Sequence, residues 1–514
     1  MSDVDFIVVG AGAAGSVLAN RLVTLGGAKV ALLEAGPDDT LPAIHATDIG
    51  SMTSMWGPGE QNWAFQTVPQ SGMGGRKVDI AQGRGLGGGT AINAMMYVRG
   101  NARDFDTWAE MGAEGWSYKD VLPYFKRSES YVGGDDAYRG RKGGLKVIDM
   151  DKKSEAAAAF MEAARSLGVS KVESDFNGAQ QEENAFLYQS TRVNKDRRCS
   201  TATAFLDPIK TDDRLSILTN AQVTRVLIEN GRAVGVEYMS GGKTQTIRAK
   251  REVILTAGAF LSPQLLMLSG IGPAAHLKEH GIAVVSDLAG VGQNLQDHLL
   301  LSVTYRASHD MDPPQLLSEA GLFHYTGTFD RKTSSPDLQF FFGPIQFADP
   351  QYMDGGPGFT LVPIIAQPRS RGTVTLGSSD PMQKPIVDPK YLTDSRDVEV
   401  FVKGVALARQ LAGNAAFDAM RERELAPGAA VTSDAAVEAY VRASASTVWH
   451  PVGTCRMGAM NDPTAVVDPQ LRVRGVTGLR VADASVMPTI TSGNTNAATI
   501  MIGDKAADLI LNQS

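Results

Sequence analysis

An apolar run at residues 4–9 stops at a glycine cluster, residues 10–15, which gives way to helical spacing over 16–25 and a second extended run at 29–34. Strand, tight turn, helix and strand in that order predict the opening of a βαβ unit. At the far end, Ile500, Ile502, Leu509 and Leu511 with alanines between them predict a long helix over 496–511. Residues 215–218, 223–228, 234–238 and 253–257 are short, β-branched and divided by Asn-Gly and Gly-Gly turns, so consecutive strands are expected there.

The texture changes over 300–395, which is rich in proline and aromatic residues. Strand-like pieces occur at 338–342 (Leu-Gln-Phe-Phe-Phe) and 372–376 (Gly-Thr-Val-Thr-Leu). A second domain built on a sheet is expected from this stretch, with the Ala-rich, helix-like residues 396–446 covering one face of that sheet.

At 514 residues the chain exceeds what one core usually organises, which agrees with two domains. Its 49 basic and 56 acidic residues are spread without long runs, so no nucleic-acid surface and no basic membrane patch are indicated. The two cysteines, Cys199 and Cys455, have neither disulfide-framework nor zinc spacing, and no metal site is expected. No leader is visible from Met1 onward and no stretch is long and apolar enough to span a bilayer. These features fit the cytoplasm, with peripheral contact to the inner membrane left open, and they leave the oligomeric state undetermined.

Chemistry enters with Gly10-Ala11-Gly12-Ala13-Ala14-Gly15, a G-x-G-x-x-G that leaves a strand and opens a helix. Such a turn lets the backbone approach a pyrophosphate lying on the helix N-terminus. Glu34 closes the next strand about 20 residues further on, where a carboxylate accepts from a ribose 2′-hydroxyl and repels a 2′-phosphate. This motif alone does not separate FAD from NAD. A second Gly-rich loop, Gly83-Arg84-Gly85-Leu86-Gly87-Gly88-Gly89-Thr90-Ala91-Ile92-Asn93, is one that a plain nicotinamide enzyme does not need.

Several segments in order resemble the glucose-methanol-choline (GMC) oxidoreductase family: residues 83–106, residues 258–272, Val291-Gly292-Gln293-Asn294-Leu295-Gln296-Asp297-His298, His450-Pro451-Val452-Gly453-Thr454, and Gly493-Asn494-Thr495-Asn496. Within the family the likeness is to choline-dehydrogenase-like and alkanol dehydrogenase branches. The resemblance implies the GMC fold, α/β plus α+β. A Rossmann-like FAD-binding domain is expected from 1–38, 83–130, 200–300 and 447–514. A sheet-based substrate domain with its cap is expected from 39–82, 131–199 and 301–446.

The same resemblance implies FAD, with its pyrophosphate on Gly10, Gly12, Ala13, Ala14 and Gly15. The adenosine ribose falls at Glu34 and Ala35, and the adenine on the backbone of Val223. Its isoalloxazine falls to the loop carrying Arg84, Gly87, Gly88, Gly89, Thr90, Asn93, Ala94 and Met95. Ala257, Gly258, Asp483 and Ala484 flank the ribityl and pyrophosphate region, and Asn494, Thr495 and Asn496 the ring. By residue type alone, Asp483 could equally cap a helix or form a turn. Relatives that attach FAD covalently use a His where this chain has Ile92, so non-covalent FAD is expected.

Alcohol oxidation needs a base near the substrate oxygen and a donor for the developing alkoxide. His450, with an ordinary pKa near 6.5, is the candidate base, and Asn494, which donates without titrating, is its partner. The resemblance gives both the catalytic role, with hydride passing to flavin N5. His298 is assigned a structural role, and the remaining histidines the surface or helix caps. Trp449, Phe340 and Phe342 are expected to form an apolar substrate wall, with residues 56–65 over the entrance. A primary alcohol, aliphatic or aryl, is the expected substrate, and oxygen or a quinone-like carrier the electron acceptor. Choline-type or hydroxymethylfurfural-type oxidases share the His and Asn pattern. Flavin lyases and photodecarboxylases share the flavin motifs, but His450 and Asn494 favour alcohol oxidation over these and over a non-enzymatic flavin protein.

Overall fold

In the computed structural model the chain is described from residue 4 to residue 512. Met1, Ser2 and Asp3, on which the expectation about a leader falls, lie outside the described residues. The strand Val4–Val9 is the centre of the first sheet, flanked in parallel by Val30–Leu33 and by the end of Lys243–Leu255. Leu215–Leu218 adds in parallel outside Val30–Leu33, and Leu479–Val481 outside Lys243–Leu255. Phe6, Ile7 and Val8 are fully buried, as suits a parallel strand covered on both faces.

Lys243–Leu255 is longer than the apolar pattern predicts. Its first residues, Lys243 to Arg248, pair antiparallel with Arg232–Ser240, which pairs with Gln222–Glu229, and its last residues join the parallel sheet. The leading part is mostly exposed and polar, so it carries no hydrophobic period for a sequence reading to find. The helix predicted at 496–511 is Asn496–Leu511, and it packs against Ala13–Thr24 beneath the sheet.

The second sheet is antiparallel, ordered Arg421–Ala426, Val303–Ala307, Gly358–Ile365, Leu338–Gly343, Ala320–His324, Ala185–Leu187. Helix Ser395–Ala412 lies across Gly358–Ile365, and Phe401, Val405 and Ala408 join the core beneath it. The expectation of helix throughout 396–446 fails at Arg421-Glu422-Arg423-Glu424, which forms an edge strand. Charges on such an edge discourage pairing with another chain, and they hide the strand from a reading based on apolar alternation.

Strand parity corrects the expected substrate wall. Leu338, Phe340 and Phe342 share the face that packs into the domain core, where the Phe342 ring stacks on Phe160 at 4.8 Å and Phe340 lies 6.4 Å from the same ring. Phe340 is fully buried and no part of the cavity lining. Phe342 reaches the lining, but its ring belongs to that core. The residue between them, Phe341, belongs to the opposite face and lines the cavity.

A short antiparallel bridge, Ser446–Thr447 against Leu299–Leu300, joins this second sheet just before His450. The candidate base therefore follows directly on a strand of the second sheet.

Candidate active site

The strand Val4–Val9 delivers the chain to Gly10, and helix Ala13–Thr24 starts behind Gly12 without a side-chain cap. Its first amides have no intrahelical acceptor, and Gly12, Ala13 and Ala14 line a cavity of about 630 Å³. Gly15 lies behind this surface: a Cβ there would fall 1.9 Å from the Gly10 carbonyl oxygen, so this glycine serves helix-to-strand packing.

Glu34 is 6% exposed, and its carboxylate accepts from the amides of Ala11 at 2.8 Å, Gly36 at 2.9 Å and Gly85 at 3.0 Å. Burial raises its pKa, while these amides oppose the rise. A carboxylate offers about four lone-pair positions, so acceptor capacity remains on the side of the cavity that Glu34 and Ala35 line. The Gly85 bond also docks the second Gly-rich loop on the first. At Gly88, with φ of 51°, a Cβ would lie 2.7 Å from Gly12 Cα, so only glycine permits this approach.

The rest of that loop divides between lining and support. Gly88, Gly89, Thr90, Asn93, Ala94 and Met95 line the cavity. Gly87 and Arg84 do not: the Gly87 amide donates to Ala11 O at 2.9 Å, and the Arg84 guanidinium donates to Ala35 O at 2.9 Å while lying 5.2 Å over the Trp63 ring. Thr90 donates its hydroxyl to Gly87 O at 2.6 Å and accepts from the Thr201 amide at 2.9 Å. Asn93 accepts at Oδ1 from Met95 N and from Arg198, which leaves its NH2 for other partners.

Val223, Ala257, Gly258, Asp483 and Ala484 line the same cavity. Asp483 accepts from Gly258 N at 2.8 Å, Ser262 Oγ at 2.6 Å, Ser485 N at 2.8 Å and Ser485 Oγ at 2.5 Å. It caps the turn at Ala484–Val486, the role its residue type also allowed, and those four bonds engage both oxygens. Asn494, Thr495 and Asn496 complete the lining at the start of Asn496–Leu511, a second long helix that begins without a side-chain cap. Two uncapped helix N-termini thus border one cavity, which suits a ligand that carries a pyrophosphate and a charge-accepting ring. With the Glu34 acceptor and the Gly12–Gly88 approach, this is a fitting cradle for FAD.

At the reaction end, residues 294–298 tie two loops together. Gln296 exchanges backbone hydrogen bonds with Val452, accepts from Ile490 N at 3.1 Å and donates to Pro488 O at 3.1 Å. Asp297 Oδ1 accepts from the His450 amide at 2.7 Å, and its Oδ2 from the hydroxyls of Tyr391 and Thr447, each at 2.5 Å. Thr447 in turn accepts from the amide of Trp449, whose φ of 62° is unusual for a bulky residue. Burial pushes Asp297 up to about 6 in spite of those bonds. The clamp fixes where His450 leaves the backbone.

His298, assigned a structural role from sequence, instead touches the candidate base: the two Nδ1 atoms are 3.0 Å apart. His298 Nε2 lies 3.2 Å from Ala366 O. A carbonyl only accepts, so neutral His298 carries its proton on Nε2 and presents a lone pair at Nδ1. His450 must then donate from Nδ1, which leaves the Nε2 lone pair for the cavity it lines. Burial drives both imidazoles toward the neutral form: His298 falls to about 4, and His450 drops well below its usual value, with His298 adding to the effect.

Trp449 lines the cavity and meets Trp56 edge-on at 4.8 Å. Phe341, Leu300, Ile345 and Val362 add apolar side chains to the lining of the cavity that Trp449 and His450 also line. Among the described residues, the only carboxylates lining the cavity are Glu34 and Asp483, and no Lys or Arg lines it. No group of His, Cys, Asp and Glu able to hold a metal occurs among the described residues.

Comparison with known proteins agrees with this geometry. Sequence profiles described as GMC oxidoreductase match residues 4–300 and 368–503. An oxygen-dependent choline dehydrogenase of Sinorhizobium medicae is 41% identical, the match covering 99% of this chain and 95% of that protein. Among solved structures, pyridoxine 4-oxidase from Mesorbium loti superposes with a TM-score of 0.91 at 33% identity, covering 98% of both chains. An FAD-dependent oxidoreductase from Chaetomium thermophilum superposes with a TM-score of 0.90 at 26% identity, covering 99% of both.

Proposed function

The chain belongs to the GMC oxidoreductase family, and on that footing we propose that it oxidises primary alcohols with apolar tails to aldehydes, with His450 as the base. It is an FAD-dependent enzyme acting on the CH–OH group of a small-molecule alcohol. The observation that carries the substrate reading is the apolar lining, Trp449, Phe341, Leu300 and Val362 among it, of the cavity that His450 also lines, whose only carboxylates among the described residues are Glu34 and Asp483. Each methylene buried there contributes about 0.8 kcal/mol, whereas a sugar's hydroxyls would need polar partners.

Bound FAD supplies the acceptor for the hydride that leaves the alcohol carbon. The residues do the rest. His450 Nε2 takes the hydroxyl proton as its Nδ1–H stays hydrogen-bonded to His298. Asn494 donates to the oxygen as negative charge grows there. Asp297 keeps His450 in place through its amide, and the uncapped start of Asn496–Leu511 offers positive dipole character beside the ring site. FAD is held without a covalent link, since Ile92, in the lining at the attachment position, has no group to form one.

We place the enzyme in the cytoplasm on its two buried free cysteines, and no helix among the described residues is long and apolar enough to cross a membrane. Oxygen is the favoured electron acceptor, because the names of two similar proteins specify oxygen or an oxidase. Choline is the second reading, suggested by the 41% relative; Trp56, Trp449 and Phe341 offer aromatic faces for a cation, without a carboxylate beside them.

Anaerobic mixing with 1-hexanol, benzyl alcohol, choline and glucose tests the choice. The two apolar alcohols are expected to bleach the flavin fastest at equal concentration. A clear preference for choline or glucose would overturn the substrate reading.

A further inference from the structure

We infer that Tyr188 and Gln339 are positioning residues that set the direction of the Asn494 side-chain amide, turning its NH2 group toward the substrate oxygen. This rests on the reading of Asn494 as the donor to that oxygen. Gln339 is a polar residue in an otherwise apolar strand, Leu338–Gly343, and it is fully buried. Strand parity places it on the same face as Phe341, the ring that lines the cavity.

Hydrogen-bond direction propagates along a short chain. Tyr188 Oη lies 3.1 Å from Phe340 O, and a carbonyl oxygen can only accept, so the phenol proton is committed there. Burial raises the Tyr188 pKa further, which keeps that proton in place. The phenol oxygen must then accept, and its partner at 2.9 Å is Gln339 Nε2. The Gln339 amide therefore has its NH2 on this side. The same nitrogen lies 3.4 Å from Asn494 Oδ1, within reach of its second N–H.

With Oδ1 of Asn494 drawn to Gln339, its NH2 is the end left for the cavity that Asn494 lines. The opposite flip would aim a carbonyl at the forming alkoxide and repel it. Gln339 Oε1 has no hydrogen-bond partner among the described residues. A buried amide used on one side only is disfavoured by packing alone, since an unpaired polar atom loses its hydration. The sequence carries a visible signal for this residue, one glutamine between apolar neighbours, which residue pattern alone does not connect to Asn494.

The test is single-turnover reduction of the FAD-loaded enzyme by a primary alcohol, in Gln339→Met and Tyr188→Phe, each alone and combined with Asn494→Ala. Tyr188→Phe keeps the ring that packs edge-on against Phe186 and Phe341, so it serves if Gln339→Met folds poorly. Each single variant should be slower by about 10-fold, with FAD content and melting temperature near wild type, because a misdirected donor no longer stabilises the oxygen. In the Asn494→Ala background the same changes should cost nothing further, since residues that act as one unit are not additive. Binding of a short-chain carboxylate, a stable anion in place of the alkoxide, should weaken by a similar factor when measured by calorimetry.

Full additive losses beside a slow Asn494→Ala, or unchanged carboxylate binding, would overturn the inference alone. An Asn494→Ala variant as fast as wild type would overturn the donor reading and the inference with it.

Discussion

The imidazoles of His298 and His450 meet Nδ1 to Nδ1 at 3.0 Å, and the Ala366 carbonyl 3.2 Å from His298 Nε2 favours His450 as the donor between them. Replacing His298 with Phe should remove the acceptor that selects the His450 tautomer, and with it the neighbour that helps hold the His450 pKa down. The rate of flavin reduction should fall by roughly 10-fold, as expected when a base loses its orientation but not its presence. The acid limb of kcat/KM should move up toward pH 6.5. Stopped-flow reduction across pH 4–9 checks both, and an unmoved limb would assign His298 a packing role only.

The same pair makes stability depend on pH. His298 titrates near 6.5 when unfolded and at about 4 when folded, so between those values the unfolded chain binds more protons. Its contribution is intact above pH 6.5 and is lost as pH falls toward 4. Asp297, raised to about 6, acts in the opposite sense, since its folded state holds the proton more tightly between 3.8 and 6. Because His298→Phe also releases His450 toward its ordinary value, the comparison with wild type reports the two imidazoles together: the stability difference should shift against wild type by at least about 2–3 kcal/mol between pH 7 and pH 4.5. Denaturant midpoints at the two pH values measure it, and parallel midpoints would mean that His298 titrates alike in both states.

Much of this site was legible in the sequence, and the reasons are local. Gly10 to Gly15, Glu34 and residues 83–93 act through backbone geometry that only glycine permits or through a carboxylate at a fixed spacing, so residue type and order carry their meaning. The helix Asn496–Leu511 was legible because apolar and small residues recur along its 16 residues. Strand parity was not. Phe340, Phe341 and Phe342 are chemically identical, and only the pairing of Leu338–Gly343 with its neighbours determines that Phe341 faces the cavity. His298 escaped for a related reason, since its partner is 152 positions away and nothing beside it in the chain marks the contact.

Denaturation should separate FAD from the chain. Ile92 lies in the short helix Gly89–Ile92, 4% exposed, and offers no nucleophile to the ring. Acid precipitation of the purified protein should leave all yellow colour in the supernatant, identified as FAD by chromatography. Flavin retained in the washed pellet would show a covalent link formed through another side chain.

We propose neutral His450, held by Asp297 and directed by His298, as the base that starts alcohol oxidation. Anaerobic single-turnover reduction of His450→Ala by 1-hexanol, at matched FAD content and across pH 4–9, tests this role. The rate should fall by about 10²–10⁴-fold, and the acid limb seen in wild type should vanish. A variant that reduces its flavin within a few-fold of wild type, or that keeps the same acid limb, would contradict the account.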